Sequence, residues 1–147
     1  MTRPQPSPRA EFPHFRPVQL RWNDNDPYGH MNNAVHYQLF DSAVNDWLID
    51  NGMLQPDLTG VAYMVAATGC DYFAELAYPE RIELGMGITR LGSTSVTYRL
   101  GLFRAGTDRS AATGRFTHVH VDRNTRRPQT IPDAHRDRFA TLLIAAE

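Results

Sequence analysis

Between Val35 and Leu48 the apolar residues recur at intervals of three and four, and only there does this period hold over so long a stretch. Val35, Leu39, Phe40, Ala43, Val44, Trp47 and Leu48 fall on one side, while Gln38, Asp41, Asn45 and Asp46 fill the other. The spacing predicts one long amphipathic helix, starting at about Asn33. Asn32 is placed to cap it, and Gly52 stands where a left-handed residue closes a helix.

That helix must bury its apolar face, and most of the remaining chain has the period of two that belongs to strands. In RIELGMGITRL the even-numbered Ile82, Leu84, Met86 and Ile88 face one way, and Gly92 and Ser93 then make a turn. TSVTYRLGLFRA repeats the alternation with Val96, Tyr98, Leu100 and Leu102, and GTDR leads into a further strand, AATGRFTHVHVD. These read as three antiparallel neighbours. A long strand is expected around Val61 to Phe73, and a first one from Val18 to Asn23, where Val18, Leu20 and Trp22 alternate with polar residues. Pro132 suits a first helical residue, with Phe139, Leu142 and Leu143 giving a short C-terminal amphipathic helix. The order strand, long helix, four strands is an α+β layout in which one sheet covers one helix.

Residues 1–17 hold half of the ten prolines and no apolar period, so they are expected to form an extended or disordered arm before a single domain over 18–147. A chain of 147 residues, 41% hydrophobic and 21% charged, suits one globular domain and not a disordered one. Fifteen basic against sixteen acidic residues give a net charge of -1, which offers no overall field for nucleic acid or an anionic membrane. Every basic residue is an arginine, which suits bidentate contacts to phosphate, although genomic base composition produces the same bias. A lone Cys70 and the lack of a long apolar run point to a reducing cytoplasm.

The segment RWNDNDPYGHMNNAVHYQLFDSAVNDWL resembles the acyl-CoA thioesterases of the 4-hydroxybenzoyl-CoA thioesterase type, whose motif is an Asp, a short Gly-containing loop and an Asn-led helix. GITRLGSTSVTYRLGLF is similar to that family's hairpin, and GRFTHVHVDRNTRRPQTIP to its closing strand and tail. The likeness runs from about Val18 to the C-terminus. It implies a hotdog fold, a curved antiparallel sheet wrapped around the central helix. It also implies a homodimer, or a dimer of dimers, with active sites at the subunit interface.

Hydrolysing a thioester takes a group that attacks or activates water, and donors for the oxyanion that forms on the carbonyl. Asp26, in the loop before the helix, is the candidate base or nucleophile, and the free N–H groups of the helix start are the candidate donors. In the resembling enzymes the donor is a backbone amide seven positions after the aspartate, which here is Asn33. Asp24 reads as a turn or capping residue, as Asp26 on its own would. His30 is a candidate to orient Asp26, contact substrate or brace the loop. Gly29 would let the backbone approach the acyl group, and Asn32, Tyr37 and Phe40 would line or back the pocket. His36 stands where many members of the family carry an aromatic residue, which bears on the acyl group accepted.

Coenzyme A arrives as part of the substrate, and no separate cofactor or metal is implied. Its phosphates call for arginines and amides, which Arg90, Gly92, Ser93 and Thr94 offer at one hairpin and Arg126 and Arg127 as an adjacent pair. His118 and His120, two apart on a strand, share a face as metal ligands do. With no third ligand nearby, they read as solvated or hydrogen-bonded side chains. Cys70 reads as a core filler. Three other functions fit the same motif: a noncatalytic acyl-thioester binder, a hydrolase taking its acyl group from acyl-carrier protein, and a hydroxyacyl-CoA dehydratase.

Overall fold

The computed structural model describes residues 3–55, 57 and 59–145. Five strands, β1 (His14–Val18), β2 (Ala62–Tyr72), β3 (Ile82–Leu91), β4 (Ser95–Arg104) and β5 (Ala112–Val121), form one antiparallel sheet in the order β1-β3-β4-β5-β2. Helix α1 (Val35–Asp50) and a short helix α2 (Asp133–Ala140) complete the fold.

Register sets the inner face of this sheet. Leu84 pairs with Leu102, Met86 with Leu100 and Ile88 with Tyr98, and Tyr98 in turn with Phe116, so the alternating apolar residues stand in rows on one side. All of them are buried, and Phe40, Val44, Trp47 and Leu48 of α1 belong to the same core. Gly114 fixes how close the helix comes. A Cβ there would lie 2.2 Å from Cε2 of Phe40, so the helix rests on the sheet where β5 has no side chain. The helix ends at Gly52, whose φ of 72° is the left-handed conformation expected there. Among the described residues, no helix is long and apolar enough to cross a membrane.

The N-terminal segment differs from the pattern its sequence predicts. The first strand is His14–Val18, not Val18–Asn23, and it pairs with β3 at the sheet edge, where Pro17 costs no ladder bond. Leu20 is buried as the alternation requires, but the chain has left the sheet by then. Arg21 and Asp24 close a 3-10 turn over Trp22–Asp24, and Trp22 is left 82% exposed. The proline-rich segment before β1 is docked. Phe12 is 5% exposed and fills a notch above Gly85 and Gly101, with Phe15 and Phe103 edge-on to it. Pro8 bridges to Arg109, and the Ser7 N–H donates to Ser110 Oγ.

At the other end, Pro132 stands one position before α2 and not inside it. Phe139 and Leu142 are buried as expected, whereas Leu143 is 49% exposed and bridges to Ile88 beyond the helix.

Candidate active site

Residues 25–31 form a tight loop whose ends are tied together. Asn25 and Met31 make an antiparallel bridge, the Asp26 N–H donates to the His30 carbonyl, and the Gly29 N–H donates to the Asp26 carbonyl. Gly29 has a φ of 91°, which a side chain would strain. A second segment, Phe73–Pro79, clamps this loop from outside. The Met31 N–H donates to the Leu76 carbonyl, and the Asn25 side chain bonds both the N–H and the C=O of Tyr78.

Asp24 and Asp26 separate clearly in this frame. Asp24 is 2% exposed and accepts from the Arg21 N–H and guanidinium. Burial pushes its carboxyl up, but those bonds outweigh burial and hold it below the ordinary range. It is a structural brace. The Asp26 carboxylate is partly exposed and takes one N–H, from Tyr28 at 2.9 Å, through Oδ1. Its Oδ2 lies 3.7 Å from Nδ1 of His30, whose Nε2 lies 3.4 Å from Glu75.

Asp26 borders a cleft of ≈ 440 Å³ together with His30, Asn33 and His36, and Met31, Tyr72, Phe73 and Leu76 provide its apolar wall. The segment entering α1 forms one rim. The Ala34 N–H donates to Asn32 Oδ1 and the Val35 N–H to the Asn32 carbonyl, so Asn32 caps the turn just ahead of the helix. The Tyr72 hydroxyl donates to the Asn33 carbonyl at 2.8 Å. Among the described residues, the Asn33 backbone N–H meets no acceptor, although those of Asn32, Ala34 and Val35 all do. A carboxylate and an unengaged amide therefore share one cleft at the mouth of a helix, where the helix dipole favours negative charge.

Other candidate residues lie elsewhere. Tyr37 does not line the cleft but neighbours Tyr72, which does: burial, and then the nearby Cys70 thiol and Tyr37 phenol, push the Tyr72 phenol above its ordinary range. Phe40 is wholly buried against Gly114 and does not reach the cleft. The Gly92–Thr94 turn supports the fold: the carbonyl of Gly92 accepts from the Arg136 guanidinium, that of Ser93 from the Ile131 N–H and that of Thr94 from the His120 N–H. Arg90 lines a separate depression with Arg99 and Arg115. Arg126, at a φ of 63°, and Arg127 lie on an exposed turn against Met64, at the start of β2. The cleft adjoins the far end of β2 at Tyr72, eight residues and roughly 26 Å from Met64. One subunit alone does not bring these groups together.

Burial pushes the Cys70 thiol up to about 11, which keeps it protonated and a poor nucleophile. His118 and His120 are 1% and 2% exposed, so they are buried and not solvated; His120 Nδ1 hydrogen-bonds the Gln129 carbonyl. Among the described residues, no group of three or more His, Cys, Asp or Glu is set to hold a metal. Nothing in the sequence points to the Phe73–Leu76 wall or to Glu75. Their segment carries no motif, and only the fold carries it to Asp26.

Residues 20–139 match the family described as the thioesterase-like superfamily, and the chain belongs to it. The crystal structure of the PA5185 protein from Pseudomonas aeruginosa PAO1 is 45% identical, covering 97% of this chain and 99% of that one, with a TM-score of 0.92. The 1,4-dihydroxy-2-naphthoyl-CoA thioesterase Slr0204 from Synechocystis shares the fold at 18% identity and a TM-score of 0.76, covering 86% of this chain and 94% of that one. The uncharacterised protein YsmA of Bacillus subtilis is 25% identical over 89 residues, which is 60% of each chain. The five-stranded antiparallel sheet around one long helix is the hotdog fold of these structures.

Proposed function

We propose that the protein hydrolyses an acyl-CoA thioester to the free acid and coenzyme A, with Asp26 as general base or nucleophile. The observation that carries this reading is the pairing, in one cleft, of the Asp26 carboxylate with the unengaged N–H of Asn33. A thioester carbonyl between them would present its carbon to the carboxylate, or to a water that Asp26 deprotonates. Its oxygen would face the amide, where developing negative charge is stabilised. His30, between Asp26 and Glu75, is placed to hold the carboxylate's orientation. Membership of the superfamily supports thioester chemistry, and the cleft's apolar wall suits an acyl group. The reaction asks for no further cofactor.

The sheet edge supports a dimer. β2 is an edge strand of eleven residues with Met64 through Thr68 exposed, and a long apolar edge is a template for strand pairing. Two copies paired antiparallel along β2 would bring the Arg126–Arg127 turn of one beside the Asp26 cleft of the other. Arginines that a single chain holds apart from the site would then reach the nucleotide phosphates.

The test is release of free thiol from a panel of aromatic and straight-chain acyl-CoAs, and from the same acyl groups on acyl-carrier protein. Turnover of at least one acyl-CoA is expected, with free coenzyme A as a competitive inhibitor. Tight binding of acyl-CoA without thiol release would leave a binder, and loss of water without thiol release a dehydratase.

A further inference from the structure

Asn33 is held on both sides of its Cα. The peptide unit that carries its N–H is fixed at the other end, because the Asn32 carbonyl accepts from the Val35 N–H at 2.9 Å. The next unit is fixed by the Tyr72 hydroxyl, which donates to the Asn33 carbonyl at 2.8 Å. Peptide units are rigid planes, so these two bonds together set φ and ψ of Asn33, and with them the direction of its N–H. The carbonyl depends on this outside donor: α1 starts at Val35 with Ala34 as its cap, so Asn33 lies ahead of the helix's own ladder. The bonds around Asn32 come from the loop and the helix entry, whereas Tyr72 is the last residue of β2 and ties the turn to the sheet. Its ring also stands edge-on to His36, in the first turn of α1, with centroids 4.6 Å apart. Burial first of all holds the phenol above its ordinary range, so its proton is in place to be donated.

We propose that Tyr72 is a positioning residue for the reaction, whose hydroxyl holds the helix-entry turn in the orientation that aims the Asn33 N–H at the thioester oxygen. This rests on the reading of the cleft as an acyl-thioester site. An oxyanion donor acts along its own N–H direction, and a hydrogen bond weakens steeply as it bends. Without the hydroxyl, the Asn33 carbonyl would turn toward water and the amide would tilt with the turn. The loss falls on the charged oxyanion much more than on the neutral substrate, so it belongs to kcat and not to KM.

The test compares wild type with Tyr72→Phe, which keeps the ring against His36, and with Tyr72→4-aminophenylalanine, which restores a donor in the same place. Benzoyl-CoA and octanoyl-CoA are the substrates. In Tyr72→Phe, kcat is expected to fall about ten- to fiftyfold, less than for loss of the donor itself, with KM within about twofold and little change in melting temperature. The 4-aminophenylalanine variant should recover most of that loss. A readout independent of turnover is the infrared band of benzoyl-CoA, isotope-labelled at the carbonyl and bound to Asp26→Asn protein with and without Tyr72→Phe. The band should lie at lower frequency where Tyr72 is kept, because a well-aimed amide polarises the C=O. An unchanged kcat in Tyr72→Phe, a change confined to KM, or the same band in both proteins would overturn the proposal. A wild type that binds both CoA esters but releases no thiol would sink the hydrolase reading, while the band comparison would still decide the part of Tyr72.

Discussion

Acid should weaken this fold through His118 more than through an ordinary histidine. The side chain is 1% exposed and packed among Phe116, Tyr98 and Tyr63 at centroid distances of 4.9, 6.0 and 5.9 Å, and its Nδ1 has no partner among the described residues. Burial pushes its pKa from about 6.5 down to about 4. Because the folded-state value is the lower one, the unfolded chain binds the proton first as pH falls. The stabilisation is therefore complete above about pH 6.5 and drains away as pH falls toward about 4. For one site with these two values, the loss between about pH 7.5 and about pH 4.5 comes to about 2.5 kcal/mol. Urea unfolding at both pH values, for wild type and His118→Leu, isolates this contribution because other titrating groups act in both proteins. The drop should be smaller in His118→Leu by about 2–3 kcal/mol. An equal drop in the two proteins would show that His118 does not stay neutral in the core, and the burial argument would fail.

Two further substitutions probe how the site is held. Gly114→Ala should cost at least about 1–3 kcal/mol in urea unfolding, because its Cβ would meet the wholly buried Phe40 ring and lift α1 from the sheet; a neutral effect would contradict that close contact. Phe12→Ala should cost about 3–5 kcal/mol if the N-terminal segment belongs to the core, and almost nothing if that segment is a free arm.

The helix and the hairpin strands were legible because each buries one face, and burial of one face writes its period directly into the sequence. Ile82 through Ile88 and Val96 through Leu102 needed no other signal. The N-terminal strand was misplaced because Pro13 and Pro17 break the alternation, and because Phe12 packs on the outer side of the sheet in a notch left by Gly85 and Gly101. No local pattern announces such a notch. Asp26 and Asn33 were found through a motif in one continuous segment. Tyr72, the Phe73–Leu76 wall and Glu75 lie 39 residues or more beyond Asn33 and reach the cleft only through the pairing of β2 with β5. Period also hid the burial of His118 and His120: alternation put them on the inner face, but a histidine there reads equally well as solvated until α2 is seen to cover it.

If the Asp26 carboxylate carries the chemistry, Asp26→Asn removes it with the least disturbance to the fold. Asparagine keeps the side-chain oxygen that accepts the Tyr28 N–H, so the loop should hold and the melting temperature should change little. On the acyl-CoA that the wild type cleaves best, kcat should fall roughly a hundredfold or more, with KM little altered. A correctly folded Asp26→Asn protein that turns over at close to the wild-type rate would show that the reaction does not run through this carboxylate.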